Sequence, residues 1–438
     1  MKVMFKKRIT KKLEKYVKKY FARHPEIKLV VVAGSVGKTS SKLAIATLLN
    51  EKYRVRLHSG NHNTHLSAPL AILGIDFPGN PRSFLEWRRV FKAARRRIKA
   101  PAETEPQVII QELGTDRPGD IAQFGRYLNP DIAVITSVAP EHMEFFGSLD
   151  AVAQEELTAA NFSKMAILNR DAIDSKYSSL ITNPNFTTYG SLVSAEYSFE
   201  IDDFNLIDGY ICKFNSPNFG KIPAKVRIFG EHSMLPITSA VAVAENLGLS
   251  VGEIQAGLGK IQPVPGRMNF LRGVEESILI DDTYNSSPIA AKAALFAIYN
   301  LSVPSRVAIL GSMNELGASS AEEHRNLGSL CDPLSLSWVI TVGDEANMHL
   351  APAAKARGCQ VKTCRNAIEA ATFAHKIMEK GAAVLLKGSQ GDIYLEEATK
   401  ILLHDQEDVK YLVRQDAKWL EIKREFFEKF TNFKEDEV

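Results

Sequence analysis

From Lys28 the chain reads Lys-Leu-Val-Val-Val-Ala33 and then breaks at Gly34. A short unbroken apolar run closed by glycine reads as a strand buried on both faces. Val108–Glu112 and Asp131–Thr136 repeat the pattern, with helical periodicity between them. Such runs alternating with helices predict a doubly wound parallel sheet. Ahead of the first strand, residues 2–24 space Leu13, Tyr16, Val17 and Tyr20 along one helical face and lysines around the rest. Residues 85–99 predict a second, very basic helix, with Arg88, Arg89, Lys92, Arg95, Arg96, Arg97 and Lys99. Short alternating segments from Tyr189 to Arg227 predict a small antiparallel sheet, and helical pattern returns over 236–247. Pro263-Val-Pro-Gly266 reads as a linker. Beyond it strand–helix alternation restarts at Ser277–Asp281, Arg306–Leu310, Trp338–Val342 and Ala383–Lys387, which predicts a second α/β domain. The tail, residues 419–438, predicts a charged helix.

Composition narrows the classes. The chain has 438 residues, 45% of them hydrophobic, enough for two or three cores. Lys and Arg number 54 against 51 Asp and Glu, a net charge of +3, which argues against a dedicated nucleic-acid binder. The two basic helices read first as solvated faces, with an anionic surface as the alternative. Cys212, Cys331, Cys359 and Cys364 are scattered and predict reduced thiols. There is no signal-peptide pattern at the start and no apolar run long enough to span a bilayer, so a cytoplasmic location is expected.

The sharpest chemical signal is Gly34-Ser35-Val36-Gly37-Lys38-Thr39-Ser40, between a buried strand and a helix. Glycines let backbone N–H groups curl around phosphate oxygens, and the helix N-terminus adds its dipole. Lys38 would reach the β- and γ-phosphates, and Thr39 would offer its hydroxyl oxygen to Mg²⁺. The spacing departs from the common GxxxxGK[ST] form, whose first glycine would fall at Val32. Glu112 ends one strand and His142 follows another, at the strand ends where ligands gather in open α/β sheets. Asp281-Asp282 and Lys387 end strands of the second domain. Together these features imply a Mg²⁺-ATP enzyme. The expected organisation is a basic helix over 1–28, a P-loop parallel-sheet ATPase domain over 29–264, and a smaller Rossmann-like α/β domain over 265–438.

The motifs AGSVGKTS from Ala33, GNHNTHLSAPLAIL from Gly60, QELGTDRPGDIA from Gln111, NPDIAVITSVAPEHMEFFGS from Asn129, PGRMNF from Pro265, LIDDTYNSSP from Leu279, AILGSMNELG from Ala308 and LLKGS from Leu385 resemble the Mur ligase family, most of all its MurF type. The resemblance spans about residues 29 to 420. It implies an ATP-dependent amide-bond ligase working through an acyl phosphate, adding D-Ala-D-Ala to a UDP-MurNAc-peptide in peptidoglycan precursor synthesis. It also implies site residues. Gly34, Ser35, Gly37, Lys38, Thr39 and Ser40 would cradle the phosphates, and Thr39, Glu112 and His142 would hold Mg²⁺. Asn61, Asn63 and Thr64 would face the acyl substrate. Arg267, Asp282, Tyr284 and Asn285 would contact nucleotide, and Lys387 would close over the site. Asn314, Glu315 and His324 would mark the MurF-type substrate.

The sequence departs from the family in three places. Only about 28 residues precede the first strand, where the family carries a UDP-binding domain, so a shorter substrate, a contact through Arg88–Arg97 or a protein partner is expected to fill that role. Many relatives carry a carbamylated lysine about a dozen residues after the metal-binding histidine. Here the stretch from Asp150 has no lysine before Lys164, and Glu156, beside Glu155, is expected to supply a permanent carboxylate. The family's G-x-H-N-x-x-N pattern is reduced to Gly230-Glu-His232-Ser233, and Gln390 stands where an arginine is common. Two other readings are open: a Mur-like ligase for another carboxylate–amine pair, of the poly-γ-glutamate or folate type, and an ATP-binding subunit that does no ligation itself.

Overall fold

The computed structural model describes residues 3–58, 60, 62–205 and 209–431. It divides into two compact units. Unit 1 comprises residues 1–139, 145–227 and 233–261, and unit 2 comprises residues 140–144, 228–232 and 262–438. The helix Val3–Arg23 is part of unit 1 rather than a separate piece.

Unit 1 is built on β1 (Lys28–Ala33), β2 (Val55–Leu57), β3 (Val108–Glu112), β4 (Ile132–Ile135), β5 (Met165–Asn169) and β6 (Phe186–Tyr189), in the order β2-β3-β1-β4-β5-β6. Every pairing is parallel. Central β1 and β3 are buried without alternation because helices cover both faces of a parallel sheet. In the β1–β3 register Val32 lies opposite Glu112, so the carboxyl ends of the two central strands are level. A separate antiparallel sheet, β7 (Ser198–Asn205), β8 (Gly209–Ser216) and β9 (Gly220–Val226), fills the region where alternation predicted one.

The two basic helices bury their apolar faces against the rest of unit 1. Leu13, Val17 and Tyr20 of the first helix are fully buried. Trp87, Val90 and Ala94 form the inner face of Phe84–Ile98. Ile9, Leu13, Leu66, Leu70, Trp87 and Val90 make one apolar cluster between them. Beside it the Glu105 carboxylate is fully buried and accepts from Tyr20 Oη (2.5 Å), Arg56 Nη2 (2.8 Å) and Arg97 Nη1 (2.9 Å). Burial raises the pKa of this carboxyl, and the three donors more than offset that and hold it below its ordinary value. Arg97 is therefore committed to the fold.

Unit 2 carries β10 (Asn269–Arg272), β11 (Ile278–Asp282), β12 (Arg306–Gly311), β13 (Trp338–Val342), β14 (Val361–Cys364) and β15 (Ala383–Lys387), in the order β10-β11-β15-β12-β13-β14. Only β10 is antiparallel. Its apolar core runs from Leu279 and Val307 through Val384 to Leu402. All four cysteines are buried free thiols. Among the described residues no helix is long and apolar enough to cross a membrane.

Candidate active site

The loop after β1 is shaped by two glycines. Gly34 has φ +121°, and a Cβ there would lie 2.3 Å from Thr136 Oγ1 and 2.7 Å from the Ser137 nitrogen, so no side chain fits. Gly37 has φ +91° and starts the helix Lys38–Leu49. Ser35 N donates to Ser137 O (3.0 Å), Val36 N to Ser137 Oγ (2.7 Å), and Ala139 N to Ser35 Oγ (3.0 Å). The segment after β4 thus clamps the loop from one side. Lys38 Nζ folds back on the carbonyls of Gly34 and Ser35, and half-buried Thr39 and Ser40 begin the helix.

Glu112, at the end of β3, is the focus of unit 1. Thr39 Oγ1 approaches its Oε2 at 3.2 Å, and Asn63 Nδ2 its Oε1 at 3.3 Å. Lys42 Nζ lies 2.9 Å from Oε2, with both side chains buried, and also donates to Gly60 O at 3.1 Å. The sequence reading missed Lys42. Its signal was present, because residues three apart share a helix face and Lys42 follows Thr39 by three. Exposed Thr64 hydrogen-bonds Ser67. Asn61 lies outside the described residues.

Glu156 and Glu155 are buried, not exposed on their helix. Glu156 Oε2 accepts from Gly34 N at 2.7 Å, so it supports the loop backbone. Glu155 accepts from Thr115 Oγ1, Gly119 N and Ile121 N. Among the described residues no three His, Cys, Asp or Glu side chains gather in a metal-binding cluster. What unit 1 does bring together is a pair of hard oxygens, the Thr39 hydroxyl and the Glu112 carboxylate. That donor set suits Mg²⁺, which takes one or two protein oxygens and completes its shell with phosphate and water.

In unit 2, His142 Nδ1 lies 3.4 Å from Glu315 Oε2, and both residues have positive φ, 51° and 67°. Lys387 is buried at the end of β15, 2.7 Å from Asp282 Oδ2, and donates to Asn285 O at 3.0 Å. The Arg267 guanidinium sits 4.3 Å from the centre of the Tyr284 ring, and its Nε is buried with no hydrogen-bond partner among the described residues. Asn285 and Asn314 are exposed. Asn314 N donates to Ser389 Oγ and its Nδ2 to Gln390 O. His232 is half-buried, and loss of solvent around it lowers its pKa.

One expectation is corrected. His324 is fully buried, accepts from Met313 N at 2.9 Å through Nε2 and bonds Ser320 O at 2.8 Å through Nδ1. Both ring nitrogens are engaged by the backbone and burial lowers its pKa, so it supports the loop that carries Asn314 and Glu315 instead of touching substrate.

The sequence reading also missed Arg414, which no local pattern marks. It forms a two-bond fork with buried Glu396 (Nε 2.8 Å, Nη2 2.7 Å) and donates to Thr283 O at 2.6 Å and Tyr284 O at 3.0 Å. It thereby fixes the backbone that bears Tyr284.

A glycine loop between a parallel strand and a helix, with a hydroxyl and a carboxylate at the helix start, defines a P-loop protein, here with a second parallel-sheet unit on the same chain. Residues 32–244 match the Mur ligase middle domain and residues 266–390 match the Mur ligase, glutamate ligase domain. The chain belongs to the Mur ligase family. It is 25% identical over 389 residues to the UDP-N-acetylmuramoyl-tripeptide–D-alanyl-D-alanine ligase of Bacillus subtilis, covering 86% of this chain and 76% of that one. Its fold resembles that of MurF ligase from Thermotoga maritima in complex with ADP, with TM-score 0.74, 24% identity, and 92% and 84% of the two chains covered. It also resembles Mycobacterium tuberculosis folylpolyglutamate synthase complexed with ADP, with TM-score 0.61, 16% identity, and 86% and 92% covered.

Proposed function

We propose that this protein is a cytoplasmic ATP-dependent, ADP-forming ligase that joins D-alanyl-D-alanine to a UDP-N-acetylmuramoyl peptide. The names of its relatives support the substrates, and the loop of Gly34 to Ser40 supports the use of ATP. The observation that carries the reading is the convergence of Thr39 and Glu112 at the start of the P-loop helix.

In this reading the substrate carboxylate attacks the γ-phosphorus and ADP leaves. The amine then attacks the acyl carbon, loses a proton, and phosphate departs as the amide forms. Phosphorylation supplies the leaving group that a carboxylate lacks. The backbone N–H groups of the loop bind the phosphates, and the Lys38 ammonium turns from the Gly34 and Ser35 carbonyls toward the transferring group. Thr39 and Glu112 would hold Mg²⁺, which when bound neutralises phosphate charge; His142 is the candidate for a second ion. Glu156 keeps the loop in shape through Gly34 N. Arg267 and Tyr284 offer a cation and a flat ring to the nucleotide, and the unpartnered Arg267 Nε is a donor awaiting an acceptor. Lys387, steered by Asp282, supplies a further cation. Asn63 and Thr64 face the acyl substrate, and Asn314 and Glu315 the incoming dipeptide.

Phosphate release from Mg-ATP tests the proposal, with UDP-MurNAc-tripeptide and D-Ala-D-Ala each left out in turn and Lys38→Ala as the blank. Release that needs both substrates is expected. Bound nucleotide without stimulation by either one would transfer the chemistry to another carboxylate–amine pair.

A further inference from the structure

The charge of this protein is unevenly spread. The helices Val3–Arg23 and Phe84–Ile98 hold nine and six of the 54 Lys and Arg, and one acidic residue each of the 51. They carry a net +13, so the rest of a +3 chain carries −10. The helices pack on each other through Ile9, Leu13, Trp87 and Val90, which leaves their opposite faces to solvent. On the second helix Arg88, Arg89, Lys92, Arg95 and Arg96 are exposed, and among the described residues none of them forms an ion pair. Lys12 Nζ sits 3.9 Å from the centre of the Phe91 ring, which joins the cations of the first helix to those of the second. At the start of the second helix Phe84 and Leu85 are each 65% exposed, whereas Trp87, Val90 and Ala94 further along are buried.

We infer that this paired-helix face is a docking surface for an anionic lipid bilayer. Like charges held this densely repel one another, and a docked polyanion would offset that repulsion. Clustered cations on amphipathic helices match the negative surface of a bilayer, and two exposed apolar side chains beside them match its acyl boundary. A nucleic acid would use the cations but gains nothing from the Phe84–Leu85 pair. The face shares no residue with the P-loop or with the groups around Lys387, so the inference does not depend on the substrates proposed above.

The test is flotation of the full chain with phosphatidylcholine vesicles, with and without about 30% phosphatidylglycerol, at roughly 0.1 M salt, where the screening length is about 10 Å. Binding that requires the anionic lipid is expected. Each cation near the surface contributes about fivefold, so the quadruple variant Arg88→Gln, Arg89→Gln, Lys92→Gln, Arg95→Gln should bind roughly 600-fold more weakly. These side chains are exposed, and the variant should keep the parent melting temperature. A second measurement needs no loss of charge. Leu85→Cys carrying an environment-sensitive dye should brighten on anionic vesicles, and the four native cysteines are buried and spare the label. Equal binding to vesicles with and without anionic lipid, an unaltered quadruple variant, or an unchanged dye would overturn the inference. Binding to duplex DNA as tight as to vesicles, and indifferent to Phe84→Ser with Leu85→Ser, would assign the face to nucleic acid instead.

Discussion

Lys42 is the residue whose removal should be felt most in unit 1. Its ammonium meets the Glu112 carboxylate at 2.9 Å where both are buried, and deleting one partner strands the other charge in a low-dielectric site. Lys42→Met should destabilise unit 1 by about 3 kcal/mol in urea titration, while Lys42→Arg recovers most of that. Added Mg²⁺ with ADP should narrow the deficit of the methionine variant by giving Glu112 a new counter-charge. A deficit that nucleotide leaves unchanged would mean that Glu112 is not at the metal position. In unit 2, Asp281 is fully buried, and burial lifts its carboxyl from 3.8 to about 6 against the hydrogen bonds from Thr283 and Gly266. The native state therefore holds this proton more tightly than the unfolded chain. The associated stability is whole below about pH 3.8 and is lost as pH rises through about 6, a swing of about 3 kcal/mol. The difference in stability between the parent and Asp281→Asn should change across that window and be flat above it. A difference independent of pH would show that Asp281 stays ionised when buried.

The same logic at the level of elements turns on how much of the scaffold holds each loop. β1, β3, β13 and β15 coincide with the runs read from sequence, because a strand buried on both faces carries an unbroken apolar stretch, here closed in β3 and β15 by a buried charged residue. β2 and β14 escaped that reading. Val55–Leu57 is three half-buried residues, and Val361–Cys364 mixes Lys362 and Thr363 with two apolar positions, as edge strands do. The site divides in the same way. Lys38, Thr39 and Glu112 follow strand ends, which sequence displays, whereas Arg414 reaches Thr283 and Tyr284 from more than a hundred residues away. Arg414 spans Glu396 and two carbonyls, a geometry that a lysine cannot reproduce. Arg414→Lys should therefore keep most of the charge pairing with Glu396 yet release the Tyr284 loop, weakening ADP binding roughly tenfold by calorimetry with a smaller change in melting temperature. An equal loss in both would reduce Arg414 to a purely structural tie.

Across the whole molecule, the two units are not two consecutive stretches of chain. Residues 140–144 and 228–232 belong to unit 2 although unit 1 surrounds them in sequence, so His142 goes with Glu315 in one unit while Thr39 and Glu112 lie in the other. A linear reading places a single boundary at the proline-rich turn and has no signal for these two excursions, each of five residues. Each unit nevertheless has its own sheet and its own apolar cluster. Cooperative unfolding follows a contiguous core, and lesions in separate cores add. Calorimetry should accordingly resolve two transitions. Lys42→Met should lower one of them and Arg414→Met the other, since the second change strands Glu396 inside unit 2, relieved only in part by Lys423 at 3.5 Å. The double variant should lower both by the sum of the single effects. A single transition shifted by either change would mean that the excursions fuse the two cores into one cooperative block. Saturating ADP should then raise that single transition as a whole, whereas with two cores it should raise first the transition that Lys42→Met lowers, because the phosphate-binding loop is in unit 1.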